Sequence, residues 1–63
     1  MINQEHLLKL IAENKALCFL TINGEYYKPT NLKAISNAFK SGYNKTLSLK
    51  INGSIVIENG VLI

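Results

Sequence analysis

"LTINGEYYK", Leu20 to Lys28, is echoed 29 positions later by "LKINGSIVI", Leu49 to Ile57, and the reading of these two stretches decides the fold. In each, an Asn-Gly pair follows apolar and β-branched residues, which is the strongest short-range signal for a two-residue hairpin turn. A turn at Asn23-Gly24 sets Ile22 opposite Glu25, Thr21 opposite Tyr26, Leu20 opposite Tyr27 and Phe19 opposite Lys28, with the incoming strand reaching back to Ala16. Alternation then places Cys18, Leu20, Ile22 and Tyr27 on one face and Leu17, Phe19 and Tyr26 on the other, so both faces hold groups worth burying. The turn at Asn52-Gly53 pairs Ile51 with Ser54, Leu49 with Val56 and Leu47 with Glu58. Asn59-Gly60 makes a third turn and returns Val61 to Ile63 beside Glu58, Ile57 and Val56, completing a three-stranded meander.

Working outward, a helix is expected before each hairpin. Asn3 caps the first, which runs to about Glu13, and the Ile2–Leu7 spacing is that of a hydrophobic staple. Leu7, Leu8, Leu10 and Ile11 form its apolar face, Glu5, Lys9 and Glu13 its solvated stripe, and Asn14 is a residue that tolerates the left-handed conformation just past a helix end. Pro29 ends the preceding strand because it cannot donate to a ladder. Thr30 or Asn31 caps the second helix, which runs through about Ser41 on a stripe of Leu32, Ile35, Ala38 and Phe39, with Gly42 as its left-handed stop. The order α-β-β-α-β-β-β predicts one small α+β domain over residues 1–63, two helices packed on a mainly antiparallel sheet. A three-stranded sheet with the first hairpin standing apart is the alternative. Shifts of 28 and 29 residues superpose the two αββ units, an internal repeat that the frequency of Asn-Gly turns also explains without duplication.

Composition narrows the functional classes. A chain of 63 residues buries only roughly 60% of its unfolded surface, so the core is small. One cysteine excludes an internal disulfide framework and suits a reducing, cytoplasmic setting. No apolar run is long enough to span a bilayer, and the N-terminus lacks the pattern of a signal peptide. Seven lysines against four glutamates give a net charge of +3, with neither arginine nor aspartate. The missing arginine disfavours bidentate reading of guanine or phosphate while leaving lysine–phosphate contact open.

Catalytic chemistry finds little to work with. His6 and Cys18 are the lone histidine and cysteine, and nothing in the sequence brings them together as base and nucleophile. Neither fills a zinc site, and the glycines are turn and helix-stop residues with no phosphate loop among them. The expectation is a non-enzyme with no cofactor and no metal.

Two stretches are candidates for recognition. In "EYYKPTN", Tyr26, Tyr27 and Lys28 end a hairpin where tyrosine can anchor a protein interface or stack a base. Tyr27 shares a face with Leu20 and can instead cover the core, whereas Tyr26 lies opposite Thr21. In "LKAISNAFKSGYNK", Lys33, Asn37 and Lys40 share the polar face of a helix and Tyr43 and Lys45 follow, an arrangement able to reach phosphates and base edges or simply to stay solvated.

"AISNAFKSG" followed by "LKINGSIVIEN" resembles the recognition helix and following hairpin of Cro-type phage repressors, over residues 34–58 with gaps. The resemblance implies that Ser36, Asn37, Lys40 and Lys33 face DNA. It departs from that family where a hairpin, "FLTINGEYYKP", replaces the helix preceding the recognition helix, so a helix-turn-helix is incomplete. "AFKSGYN" is similar to a helix end in an anti-CRISPR family of prophages, a family that is acidic where this chain is basic.

Val61, Leu62 and Ile63 supply a short aliphatic strand able to pair with a second copy or a partner protein. The leading expectation is a small interaction or inhibitor module of mobile-element type that acts on a larger protein. The alternative is a nucleic-acid-binding regulator using the Lys/Asn face of the second helix.

Overall fold

A computed structural model describes all 63 residues. Helix α1 spans Gln4–Glu13 and α2 spans Leu32–Lys40; strands β1 Cys18–Ile22, β2 Glu25–Tyr27, β3 Leu47–Ile51, β4 Ser54–Glu58 and β5 Val61–Leu62 form one antiparallel sheet in the order β2-β1-β3-β4-β5. The α+β fold and the element order are as the sequence implies, and the first hairpin is an integral part of the sheet.

Both helices start where their caps dictate. Asn3 Oδ1 accepts from the His6 N–H at 2.7 Å and Asn31 Oδ1 from the Ala34 N–H at 3.3 Å, each satisfying a backbone donor that the first helical turn leaves unpaired. Gly42 takes the left-handed conformation after α2 with φ 85°. Asn14 does not do so after α1: its φ is −131°, its side chain donates to the Leu10 carbonyl, and the chain enters a 3₁₀ turn over Lys15–Leu17. That turn, where a strand from Ala16 is expected, shortens β1 to Cys18.

The two echoed stretches lie side by side. In the β1–β3 ladder Leu20 faces Leu49, Cys18 faces Ile51 and Ile22 faces Leu47, while Phe19 faces Lys50 and Thr21 faces Ser48. Adding 29 to each β1 number and subtracting 29 from each β3 number returns this same set of pairs, so the ladder has an approximate two-fold axis through Leu20–Leu49. The flanking turns follow it: the Asn52 N–H donates to the Leu17 carbonyl at 2.9 Å, and at the related position the Asn23 N–H donates to Thr46 Oγ1 at 3.0 Å.

The first hairpin has the expected register, Ile22 with Glu25, Thr21 with Tyr26 and Leu20 with Tyr27, but stops before the expected Phe19–Lys28 pair. The second departs from its simple register. Lys50 pairs with Ile55 and Leu49 with Ile57, so Val56 is an extra, bulged residue in β4, and the expected pairs Leu49–Val56 and Leu47–Glu58 do not form. The physical reason is the period of two: without the bulge Glu58 would point into the core opposite Leu47, whereas the bulge turns Ile57 inward and Glu58 out. Beyond the third turn Glu58 pairs with Val61 and Ile57 with Leu62, as expected.

The core lies on one side of the sheet. Ile2, Leu7 and Ile11 from the first helical segment and Ile35 and Ala38 from α2 meet Cys18, Leu20, Ile22, Leu47, Leu49 and Ile57. Leu32, expected on the buried stripe of α2, is exposed because it lies in the first helical turn, at the rim of the layer. Gln4 Nε2 donates to Ser36 Oγ at 3.1 Å and ties the helices together. No helix is long and apolar enough to cross a membrane.

Candidate interaction surface

With both helices on one face, the opposite face of the sheet has no cover. Alternation along β1 and β3 sends Phe19, Thr21, Ser48 and Lys50 to it, and pairing with Lys50 adds Ile55. Both faces of the first hairpin hold groups worth burying, yet only one is covered: Phe19 is 49% exposed, Tyr26 54% and Ile55 47%, because two short helices cover only one side of the sheet. The Phe19 and Tyr26 rings stack across adjacent strands with centroids 5.3 Å apart and planes inclined by 28°. Such a pair contributes about 0.5–1.5 kcal/mol beyond area burial and holds both rings in place ahead of any contact.

Phe19, Lys50 and Ile55 are successive cross-strand neighbours on β1, β3 and β4, so an ammonium lies between two apolar groups in one row. Lys28 follows β2 at the end of the sheet nearest Phe19, and Lys15 lies in the turn entering β1 at that same end. Glu58 stands on this face at the opposite end, beyond Ile57, whereas Glu25 pairs with the buried Ile22 and lies on the helix-bearing side. The face thus has apolar groups on both sides of Lys50, further lysines at one end and one glutamate at the other.

Of the residues singled out in the sequence, Tyr26 belongs to this surface and Tyr27 does not, being half-buried against the core. Lys33, Asn37 and Lys40 form an exposed stripe along α2, and the exposed Tyr43 and Lys45 lie in the 3₁₀ turn Tyr43–Thr46 that follows it. Ser36, which the Cro resemblance turns toward DNA, is half-buried and engaged by Gln4. Val61, Leu62 and Ile63 are exposed at the β5 edge. With Val61 paired to Glu58 and the Ile63 N–H bonded to the Val56 carbonyl, Leu62 alone aims its backbone N–H and C=O away from the sheet. Sequence reasoning missed Phe19, Lys50 and Ile55. The diagonal relation of Phe19 to Tyr26 in a hairpin with only two helices available as cover was the signal for the aromatic pair; Ile55 was legible from the Asn52-Gly53 turn, which pairs it with Lys50.

Other chemistry stays dispersed. Cys18 is buried at the start of β1, where desolvation raises its thiol pKa above the ordinary range, and His6 lies exposed in the first turns of α1. No three His, Cys, Asp or Glu side chains gather within metal-binding reach. A shallow depression lined by Asn3, Glu5, His6 and Lys9 at the start of α1 has no apolar lining residue. Comparison with protein families, with curated proteins and with solved structures finds no match for the chain.

Proposed function

We propose that the protein is a small non-catalytic interaction module, of the kind mobile elements encode for use in the cytoplasm, that acts by covering a surface of a larger protein. The observation that carries this reading is the uncovered sheet face with its stacked Phe19–Tyr26 pair and, two strands from Phe19, the exposed Ile55. Aromatic groups held rigidly at the centre of an exposed patch are the usual energetic anchors of protein interfaces. The burial of the Cys18 thiol, against the exposed position of His6 on α1, supports the non-catalytic part.

A second reading is favoured by a separate observation. The exposed lysines Lys28, Lys33, Lys40 and Lys45 follow α2 from the turn before it to the turn after it, and Asn37 lies between Lys33 and Lys40 on the same stripe. That reading is nucleic-acid binding through lysine–phosphate contacts. Self-association through Val61, Leu62 and Ile63 is compatible with either, and sedimentation as a monomer at high concentration would remove it.

The test compares the wild-type chain with the double variants Phe19→Ser/Tyr26→Ser and Lys33→Ser/Lys40→Ser, all checked for native circular dichroism. Cross-linking in extract of the source cell should give one protein adduct that the sheet-face variant loses and the helix variant keeps. Binding to duplex or single-stranded DNA that falls steeply with salt and disappears in the helix variant instead establishes the second reading.

A further inference from the structure

The interaction reading leaves the partner's chemistry open, and the charge pattern of the face narrows it. We infer that the uncovered face takes an acidic segment of the partner protein, one that sets apolar side chains on Phe19, Tyr26 and Ile55 and carboxylates against Lys28 and Lys50. This inference rests on the protein-binding reading above. On the sheet Lys28 and Lys50 are answered on this face by Glu58 alone, at the far end, while Lys33, Lys40 and Lys45 belong to α2 and the turn after it. Lys50 is flanked by Phe19 on β1 and Ile55 on β4. An occupant that covers both apolar groups also lies over Lys50 between them. A neutral apolar occupant would desolvate that charge without compensation, whereas a carboxylate converts the same desolvation into an ion pair.

A second copy of the chain fits this face poorly. Strands about 4.8 Å apart, of five, three, five, five and two residues at about 3.3 Å each, give a footprint of roughly 300 Å². A stable interface needs about 800 Å² from each partner, so two such faces alone fall short. Two copies also bring the same lysines, with only Glu58 at the far end as an answering charge. Nucleic acid would suit the aromatic pair and Lys50 but leaves Ile55 facing a sugar-phosphate chain, and there is no arginine to add stacking or bidentate contacts. An acidic protein segment meets all three groups, and its contacts continue onto Lys28 at the basic end. Contacts with exposed lysines also make the on-rate sensitive to salt.

The experiment is a nuclear magnetic resonance titration of the full-length, ¹⁵N-labelled chain with three probes. These are a twelve-residue peptide alternating glutamate and valine, the same peptide with lysine in place of glutamate, and a twelve-nucleotide oligothymidylate. The expected result is shifts at Phe19, Tyr26, Lys50 and Ile55 with the glutamate peptide, at least roughly tenfold weaker binding of the lysine peptide, and roughly tenfold weakening of the glutamate peptide by Lys50→Glu. Lys50 is exposed, so that variant is expected to keep the fold where a change at Phe19 need not. Equal binding of both peptides overturns the acidic partner and leaves the protein-binding reading standing. Shifts at these residues with oligothymidylate alone, or with none of the probes, overturn the inference, and the first of these overturns the protein-binding reading with it.

Discussion

The first hairpin, β1 with β2, and the second, β3 with β4, share an Asn-Gly turn and a leading strand that pairs with its counterpart, yet their outgoing strands have opposite fates. After Asn23-Gly24 the chain offers Glu25, Tyr26 and Tyr27, then meets Pro29 and leaves the sheet. After Asn52-Gly53 it continues for five residues, bulges at Val56, buries Ile57 completely and adds β5. The difference teaches that the two-fold pattern of the centre serves stability, and that departures from it decide which surface is left uncovered. β4 turns Val56 and Ile57 to the core and leaves only Ile55 exposed, whereas β2 holds Tyr26 beside Phe19 in solvent.

The symmetry of the centre can be broken most severely at Leu20 and Leu49. Both are fully buried and face each other, so Leu20→Ala and Leu49→Ala should each cost about 4 kcal/mol and match within about 1 kcal/mol. Urea denaturation with an excluded osmolyte to preserve the folded baseline reads this, and a large inequality would show that the halves are not equivalent in energy.

The next largest effect concerns the turn that has no counterpart in the first half. Gly60 has φ +79°, and an added Cβ there would run into the backbone carbonyl of Asn44; at Gly53, φ +81°, it would meet open space. Gly60→Ala should therefore cost about 3 kcal/mol, strain plus overlap, against about 1–2 kcal/mol for Gly53→Ala. Equal midpoints for the two variants would contradict this ordering.

The caps sharpen the comparison more gently. Replacing Asn3 or Asn31 by alanine should cost about 1 kcal/mol, more at Asn3, whose bond is shorter. Thermal melts of the two single variants measure the order.

The smallest effect is a pH dependence confined to one half. Cys18 stands where the two-fold relation puts Leu47, and burial raises its pKa. The unfolded chain therefore loses the thiol proton first, so this contribution to stability is complete below the unfolded thiol's pKa, about 8.5, and is lost as pH rises through the folded value. The stability difference between wild type and Cys18→Val should be flat at neutral pH and shrink in the alkaline range; a difference that grows there has the wrong sign.

Much of this architecture was legible because it rests on local chemistry. Asn3, Asn31 and Gly42 act where short-range rules place them, and the three Asn-Gly turns fix one end of β1, β2, β3 and β5 and both ends of β4. What was illegible is non-local. Ala16 and Leu17 have strand-like residue types, yet the Leu17 carbonyl accepts from the Asn52 N–H and the segment becomes a turn. The bulge was hidden because Val56 and Ile57 are both aliphatic; its one trace was a simple register that pointed Glu58 into the core. The uncovered face could not be read from either hairpin alone, since it depends on both helices choosing the same side.

The approximate two-fold axis has a consequence for how the chain divides. The link Lys28–Asn31 between β2 and α2 joins two pieces that each contain a capped helix and a closed hairpin. Cut there, the molecule becomes two complementary halves whose mutual recognition code is the five-pair ladder from Cys18–Ile51 to Ile22–Leu47. It is thus a natural substrate for split-protein reassembly. The same ladder would let one molecule's leading strand be exchanged for its neighbour's.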